Sequence, residues 1–156
     1  MEWIRWEGAV EALRGTGLTM PVLLVIHAAA TWALMGLIWT IQWVHYPLFD
    51  WVGSEEFRAY HRQHTTRITW VVGPLMFVEL VTAVGLLMCG EKSGWLLASV
   101  VPLGFNWLCT WRVQVPLHEQ LSHGLDASLV RRLVRSNRWR TAAWTLRGIC
   151  VGILIC

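Results

Sequence analysis

The charged residues of this chain lie between its apolar blocks rather than within them. The first block, residues 20–47, contains no Asp, Glu, Lys or Arg at all. About 20 apolar residues suffice to cross the hydrocarbon core of a bilayer. This block is longer, so it must tilt or protrude. Blocks at about 66–89, 95–116 and 139–156 give three further spans. With 55% apolar and only 15% charged residues, the chain departs from globular composition toward the membrane class. Its twelve tryptophans agree, because indole is apolar yet donates a hydrogen bond and so favours the headgroup boundary. A net charge of +3 is too small and too scattered for a nucleic-acid partner.

The predicted fold is all-α, a single membrane domain over residues 1–156. It is an integral four-helix bundle built from two similar helical hairpins. Residues 1–19 read as an amphipathic helix lying in the interface, with Trp3, Trp6, Val10 and Leu13 at helical spacing. They do not read as a signal peptide, since Glu2, Glu7 and Glu11 oppose Arg5 and Arg14. Residues 48–65 read as a short surface helix and 117–138 as a second polar connection. An even number of spans puts both termini on one side. The two long connections are rich in arginine, whereas Arg5, Arg14 and Lys92 alone lie on the opposite face. The positive-inside bias therefore predicts cytoplasmic connections and external termini in a bacterial-type inner membrane.

The two halves echo each other. Gln42 with Pro47-Leu48 answers Gln114 with Pro116-Leu117-His118, and Arg67 answers Arg140. A hairpin-to-hairpin repeat in one direction places its pseudo-axis along the membrane normal.

An ionisable side chain inside a bilayer costs roughly 2.5–3.5 kcal/mol on the insertion scale, which makes it a functional candidate. His27, Glu79, Arg112 and Arg147 qualify. Each also has a structural reading: Glu79 and Arg147 can pair across the bundle, and Arg112 can snorkel to the interface. His61 and His64, three apart on a helix, point the same way, as a pair of metal ligands must. His45 ends the first span and can fold close to them, and Glu56 offers a carboxylate. Such a set suits Zn, Cu or Fe. The four cysteines show no CxxC or zinc spacing and read as small buried hydrophobes.

His27-Ala-Ala-Ala-Thr-Trp32-Ala-Leu-Met-Gly36-Leu37 resembles the opening helix of the membrane protoporphyrinogen oxidase family and of copper-resistance membrane domains. That resemblance, over about residues 25–47, implies haem b ligated by His27. The family's Leu-Pro-Arg-Leu-Phe-Val-Tyr-His end stands here only as His45-Tyr46-Pro47-Leu48-Phe49, without the arginine. Over the whole chain the layout is similar to the small four-helix anthrone-oxygenase-like membrane family. The similarity rests on Pro116-Leu117 with Leu121, and on Asn137-Arg138-Trp139-Arg140-Thr141 with Trp144 and Arg147. It implies oxygen or redox chemistry on an aromatic or quinone-like lipophile.

The first functional expectation is thus a small membrane redox protein. Its bundle interior, lined by His27, Gln42, Glu79, Asn106, Gln114 and Arg147, would hold haem b, a transition metal or a flat lipophilic substrate. A cofactor-free site is equally compatible. Glu79 would exchange the proton, and Arg112 or Arg147 would stabilise a developing phenolate or enolate. The alternative is a non-catalytic subunit packed in a larger complex or a homo-oligomer, for which Ala28-Ala29-Ala30 and Gly36 allow close helix contact. A transporter ranks last, because Pro74 and Pro102 alone interrupt the spans.

Overall fold

A computed structural model describes residues 19–156; the expected interfacial helix at the N-terminus falls outside them. Every regular element among the described residues is helical. Helix α1 (Thr19–Thr40) runs into a π-helical turn (Ile41–His45) and then a 3₁₀ turn (Pro47–Trp51). Helix α2 spans Phe57–Met88 and α3 spans Gly94–Cys109. A second π-helical turn (Thr110–Gln114) joins α3 to the short α4 (Val115–Leu121), and α5 (Ala127–Ile155) completes the chain. Three helical stretches, Met20–Trp51, Phe57–Met88 and Gly94–Leu121, are long and apolar enough to cross a membrane.

The expected surface helix over 48–65 and the span over 66–89 are not separate elements, because residues 57–88 form one helix. Nothing between Phe57 and Val72 breaks it, since the first Gly and Pro are Gly73 and Pro74. The threonine hydroxyls bond back within the helix, Thr65 to the His61 carbonyl and Thr69 to that of Thr65. At a rise of about 1.5 Å per residue, a helix of 32 residues is about 48 Å long. That exceeds a hydrocarbon core of about 30 Å. The apolar part of that helix begins at about Ile68, so its polar first turns, 57–67, are the ones that carry His61 and His64.

Both π-helical turns precede a proline, and the proline explains them. Pro47 and Pro116 have no N–H for the carbonyls of Trp43 and Arg112, and their rings press against those carbonyls. Each turn widens to an i→i+5 bond, from Tyr46 N to Ile41 O at 3.0 Å and from Val115 N to Thr110 O. The widened turns re-aim the side chains just upstream of each proline, and Gln42 and Gln114 are buried. The sequence echo between the two halves is thus also an echo in backbone shape.

Helix α1 packs along α2 and against α5, and α3 packs along α5, while α2 and α3 barely meet. Leu34, Ile38, Met76 and Trp144 form an apolar layer in mid-bundle. A second layer, around Phe49, Phe57, Leu117, Leu121 and Leu133, seals the end where the long connections meet. Phe49 is wholly buried there, whereas Trp51, two residues on, is 85% exposed. Asp126 caps α5, accepting from the backbone N–H of Ser128 at 2.7 Å and of Leu129 at 3.2 Å.

Two expectations follow from this packing. Phe49→Ala, a large deletion from a closed core, should cost about 3–5 kcal/mol, while Trp51→Ala should stay within about 0.5 kcal/mol; thermal unfolding in detergent separates them. Hydrogen bonds from Ser128 and Leu129 hold the Asp126 carboxyl below the usual carboxylate range. A lowered pKa means the cap stabilises above the ordinary carboxyl pKa and is lost as pH falls through the lowered value. The protection of the Ser128 and Leu129 amides, relative to their intrinsic exchange at each pH, should accordingly fall only in acid in the parent, and be absent throughout in Asp126→Ala.

Candidate functional site

Helix α5 presents Asn137, Arg140, Thr141, Trp144 and Arg147 at three- and four-residue intervals, so one face carries all of them inward. All five are buried. From Asn137 to Arg147 this strip runs about 15 Å along the axis, and it connects two polar clusters.

The first cluster sits in mid-bundle. Glu79 and Arg147 are both fully buried and pair through Arg147 Nε and Glu79 Oε1 at 2.9 Å. Glu79 also accepts from the Thr31 hydroxyl at 3.1 Å and from Trp144 Nε1 at 3.4 Å. Arg147 donates in addition to the Ser99 carbonyl, close to Pro102, whose missing N–H loosens that turn of α3. Burying the two ions is tolerable only because each is neutralised and hydrogen-bonded by the other and by neighbours. His27 lies beside them. The Thr82 hydroxyl donates to Val78 O at 2.7 Å, so its oxygen accepts from His27 Nδ1 at 2.9 Å. That leaves His27 Nε2 as a buried acceptor without a protein partner.

The second cluster lies where the polar start of α2 meets the two proline turns. His45, His61, His64 and His118 gather there around Phe49, His45 stacking on His64 with ring centroids 4.3 Å apart. His118 lies 5.2 Å from His61 and 5.6 Å from His64 by the same measure. A chain of hydrogen bonds fixes one member. The Ser136 hydroxyl donates to Leu133 O, so it accepts from Gln114 Nε2 at 2.9 Å. The other end of that amide, Oε1, accepts from the Tyr46 hydroxyl at 3.4 Å. Tyr46 oxygen is then the acceptor for His118 Nε2 at 3.0 Å, which leaves His118 Nδ1 as a lone pair facing His61 Nε2 at 3.0 Å. His45 Nε2, His61 Nδ1 and His64 Nε2 are buried and have no protein partner.

Between the clusters, Gln42 accepts from Asn137 at 3.1 Å, and Asn137 in turn accepts from Arg140 at 2.9 Å. The Arg140 guanidinium lies 5.0 Å from the centre of the Trp144 ring, a cation–π contact. Arg140 also hydrogen-bonds Tyr46, and Trp144 reaches Glu79, so polar contact is continuous from one cluster to the other.

The residues singled out in the sequence therefore divide. Glu79 and Arg147 are brought together, and His27 packs beside them. Gln42 and Gln114 join the connecting network, and His45, His61 and His64 share one cluster. Arg112 is exposed and stands apart from Glu79. Asn106 is wholly buried, yet neither polar atom of its amide has a protein partner. Glu56 is exposed and folds back over Gly53, where its carboxylate occupies the space a side chain on Gly53 would need. His118, Tyr46 and Arg140 were missed as site residues. The Pro116-Leu117-His118 echo was the signal that could have found the first of them. No family model matches the chain, and no curated protein or solved structure is significantly similar to it.

The ion pair can be tested by a double-mutant cycle. Glu79→Gln or Arg147→Met alone should destabilise by about 3–5 kcal/mol, since each leaves an unpaired buried charge. The double variant should recover a good part of that loss, read as the coupling energy from unfolding in detergent.

Proposed function

We propose that this is a small integral membrane redox protein that binds the head group of a quinone-like aromatic lipophile at its histidine cluster. Its four crossings are α1, α2, α3 and the C-terminal part of α5. The long connections face the cytoplasm of a bacterial-type inner membrane and both termini face outside. The observation that carries the functional reading is that the cluster forms a wall between two grooves of opposite character. One groove, of about 560 Å³, is lined by His45, Tyr60, His64 and Arg67 together with Ile68 and Val71. The other, of about 740 Å³, is lined by His61 and His118 with Arg58, Arg62, Glu55 and Glu119. A lipophile reaches the first from the bilayer.

The residues supply the chemistry of such a site. The Tyr60 and His45 rings offer flat faces for an aromatic ring. The Nε2 atoms of His45 and His64 are partnerless but buried; a turn of either ring toward the groove presents them to a hydroxyl or carbonyl, and Arg67 stabilises a phenolate. So turned, the neutral imidazoles are placed to accept hydrogen bonds from the hydroxyls of a quinol head group. Glu79 and Arg147, closed to solvent, hold the helices in register.

Haem b does not fit at His27, because the ring is fully enclosed and none of the grooves described above or below borders it. The packing of four imidazoles favours a second reading, a transition-metal centre. His61 Nε2 and His118 Nδ1, 3.0 Å apart, have the spacing of two ligands on one ion with metal–nitrogen bonds of about 2.1 Å. Such an ion would supply one-electron redox chemistry. Among the described residues no three His, Cys, Asp or Glu side chains are arranged to hold a metal as they stand. His64 or His45 would have to turn toward the pair.

The test is titration of detergent-purified protein with a short-tailed benzoquinol, alongside elemental analysis. Saturable binding should weaken at least tenfold in His64→Ala and in Arg67→Gln and stay unchanged in Trp51→Ala. Stoichiometric Cu or Fe lost in His118→Ala would establish the metal reading, whereas Zn, which has no redox chemistry, would make the cluster a structural site and overturn it. Absence of both quinol binding and metal would overturn the redox account in favour of a packing subunit.

A further inference from the structure

We infer that the junction of α3, α4 and α5 is a binding site for an anionic phospholipid of the arginine-rich leaflet. The inference rests on the bilayer reading above but not on the redox one. Arg131, Arg132, Arg135 and Arg138 are all exposed within two turns of α5. Among the described residues the Glu79–Arg147 pair is the one ion pair within 4.0 Å, so none of these four guanidiniums has a described carboxylate at that distance; Arg131 acts on Asp126 from farther off. Asp50 lines a neighbouring groove with Arg131, Arg135 and Arg138, yet makes no ion pair at that distance. A solvated helix face normally intersperses both signs; beyond its Asp126 cap, α5 carries no acidic residue.

What turns charge into a site is the surface beneath it. Arg132, Arg135 and Trp139 lie three and four residues apart on one stripe. With Ser136 they line a groove of about 320 Å³ whose other wall is Val113 and Leu117. Trp139 is 68% exposed, and an indole in that position marks the level where headgroups give way to acyl chains. The same stripe continues past Trp139 through Ala142, Leu146, Ile149 and Ile153, all exposed. From Trp139 to Ile149 the helix rises about 15 Å, half of a hydrocarbon core of about 30 Å. One lipid molecule thus meets two guanidiniums at its phosphate, an indole at its ester region and an aliphatic track as long as its leaflet. A soluble anion would use the arginines alone, and a zwitterionic lipid would bring its own headgroup cation against them.

The test uses the full chain in nanodiscs made from phosphatidylcholine with a minor share of phosphatidylglycerol, and spin-labelled forms of each lipid to report the immobilised fraction. Phosphatidylglycerol should be preferred by about tenfold, in keeping with two arginines acting at a membrane surface. The preference should fall to about twofold or less in Arg132→Gln/Arg135→Gln, whose thermal midpoint should match the parent. It should survive in Arg58→Gln/Arg62→Gln, which removes equal charge elsewhere on the same side. Equal losses in both double variants would reduce the effect to diffuse attraction and overturn the site. Full competition by water-soluble glycerol phosphate would show a site for free phosphate instead of a lipid. Normal incorporation with no lipid preference would sink this inference alone, and failure to enter phosphatidylcholine discs would remove the bilayer reading beneath it.

Discussion

A carboxylate and a guanidinium with no access to water can coexist in a helix bundle only if their partners are fixed. Glu79 meets Arg147, Thr31 and Trp144, and Arg147 also reaches the Ser99 carbonyl. These contacts join α1, α2, α3 and α5 at one level. Sliding any of these helices by one turn would strand an ion in an apolar interior, at a cost of several kcal/mol. The pair therefore sets the register in which everything toward the histidine end is built. The inward strip on α5 transmits that register, since Trp144 belongs to the ion-pair cluster while Asn137 and Arg140 belong to the network below it.

At the other end the governing constraint is the backbone of two prolines. Pro47 and Pro116 each force a widened turn just before the chain leaves its long helix, and widened turns often occur where side chains must be re-aimed for function. Here they bring His45 and Tyr46 from one half and Gln114 and His118 from the other to the polar start of α2. The result is four imidazoles held by Phe49 and by a directional chain of hydrogen bonds ending on the Leu133 carbonyl. One end of the molecule is thus closed to solvent, with His27 Nε2 and one Arg147 Nη atom left without a protein partner inside it. The other keeps unpartnered ring nitrogens and opens on two grooves.

Much of this was legible in the sequence, for identifiable reasons. Apolar blocks report length and composition directly, so four spans were read off residue order, and three of them match helices long and apolar enough to cross a membrane; the block at 139–156 does not. The His61–His64 spacing fixes a shared face on any helix, and isolated ionisable residues such as Glu79 and Arg147 announce that they need partners. What the sequence hid was relational. His118 lies 57 residues from His61, and only the packing of α4 on α2 makes them neighbours. The polar opening of α2 looked like a separate surface helix because polarity changes at Thr65, although the backbone does not. Glu56 looked available as a ligand because sequence distance says nothing about its turning back over Gly53. Arg112 looked able to reach Glu79 or its partners, yet its side chain lies on the outer face of its π-helical turn.

The central claim is that the histidine end, and not the ion-pair level, meets the ligand. Nitrogen-15 spectra of histidine-labelled protein in bilayers, recorded with and without a short-tailed benzoquinol, test this most directly. The account expects the ring signals of His45 and His64 to move on addition and those of His27 to stay. It also expects His118 to carry its proton on Nε2. Movement of His27 with His45 and His64 unchanged would place the ligand in mid-bundle and contradict the account.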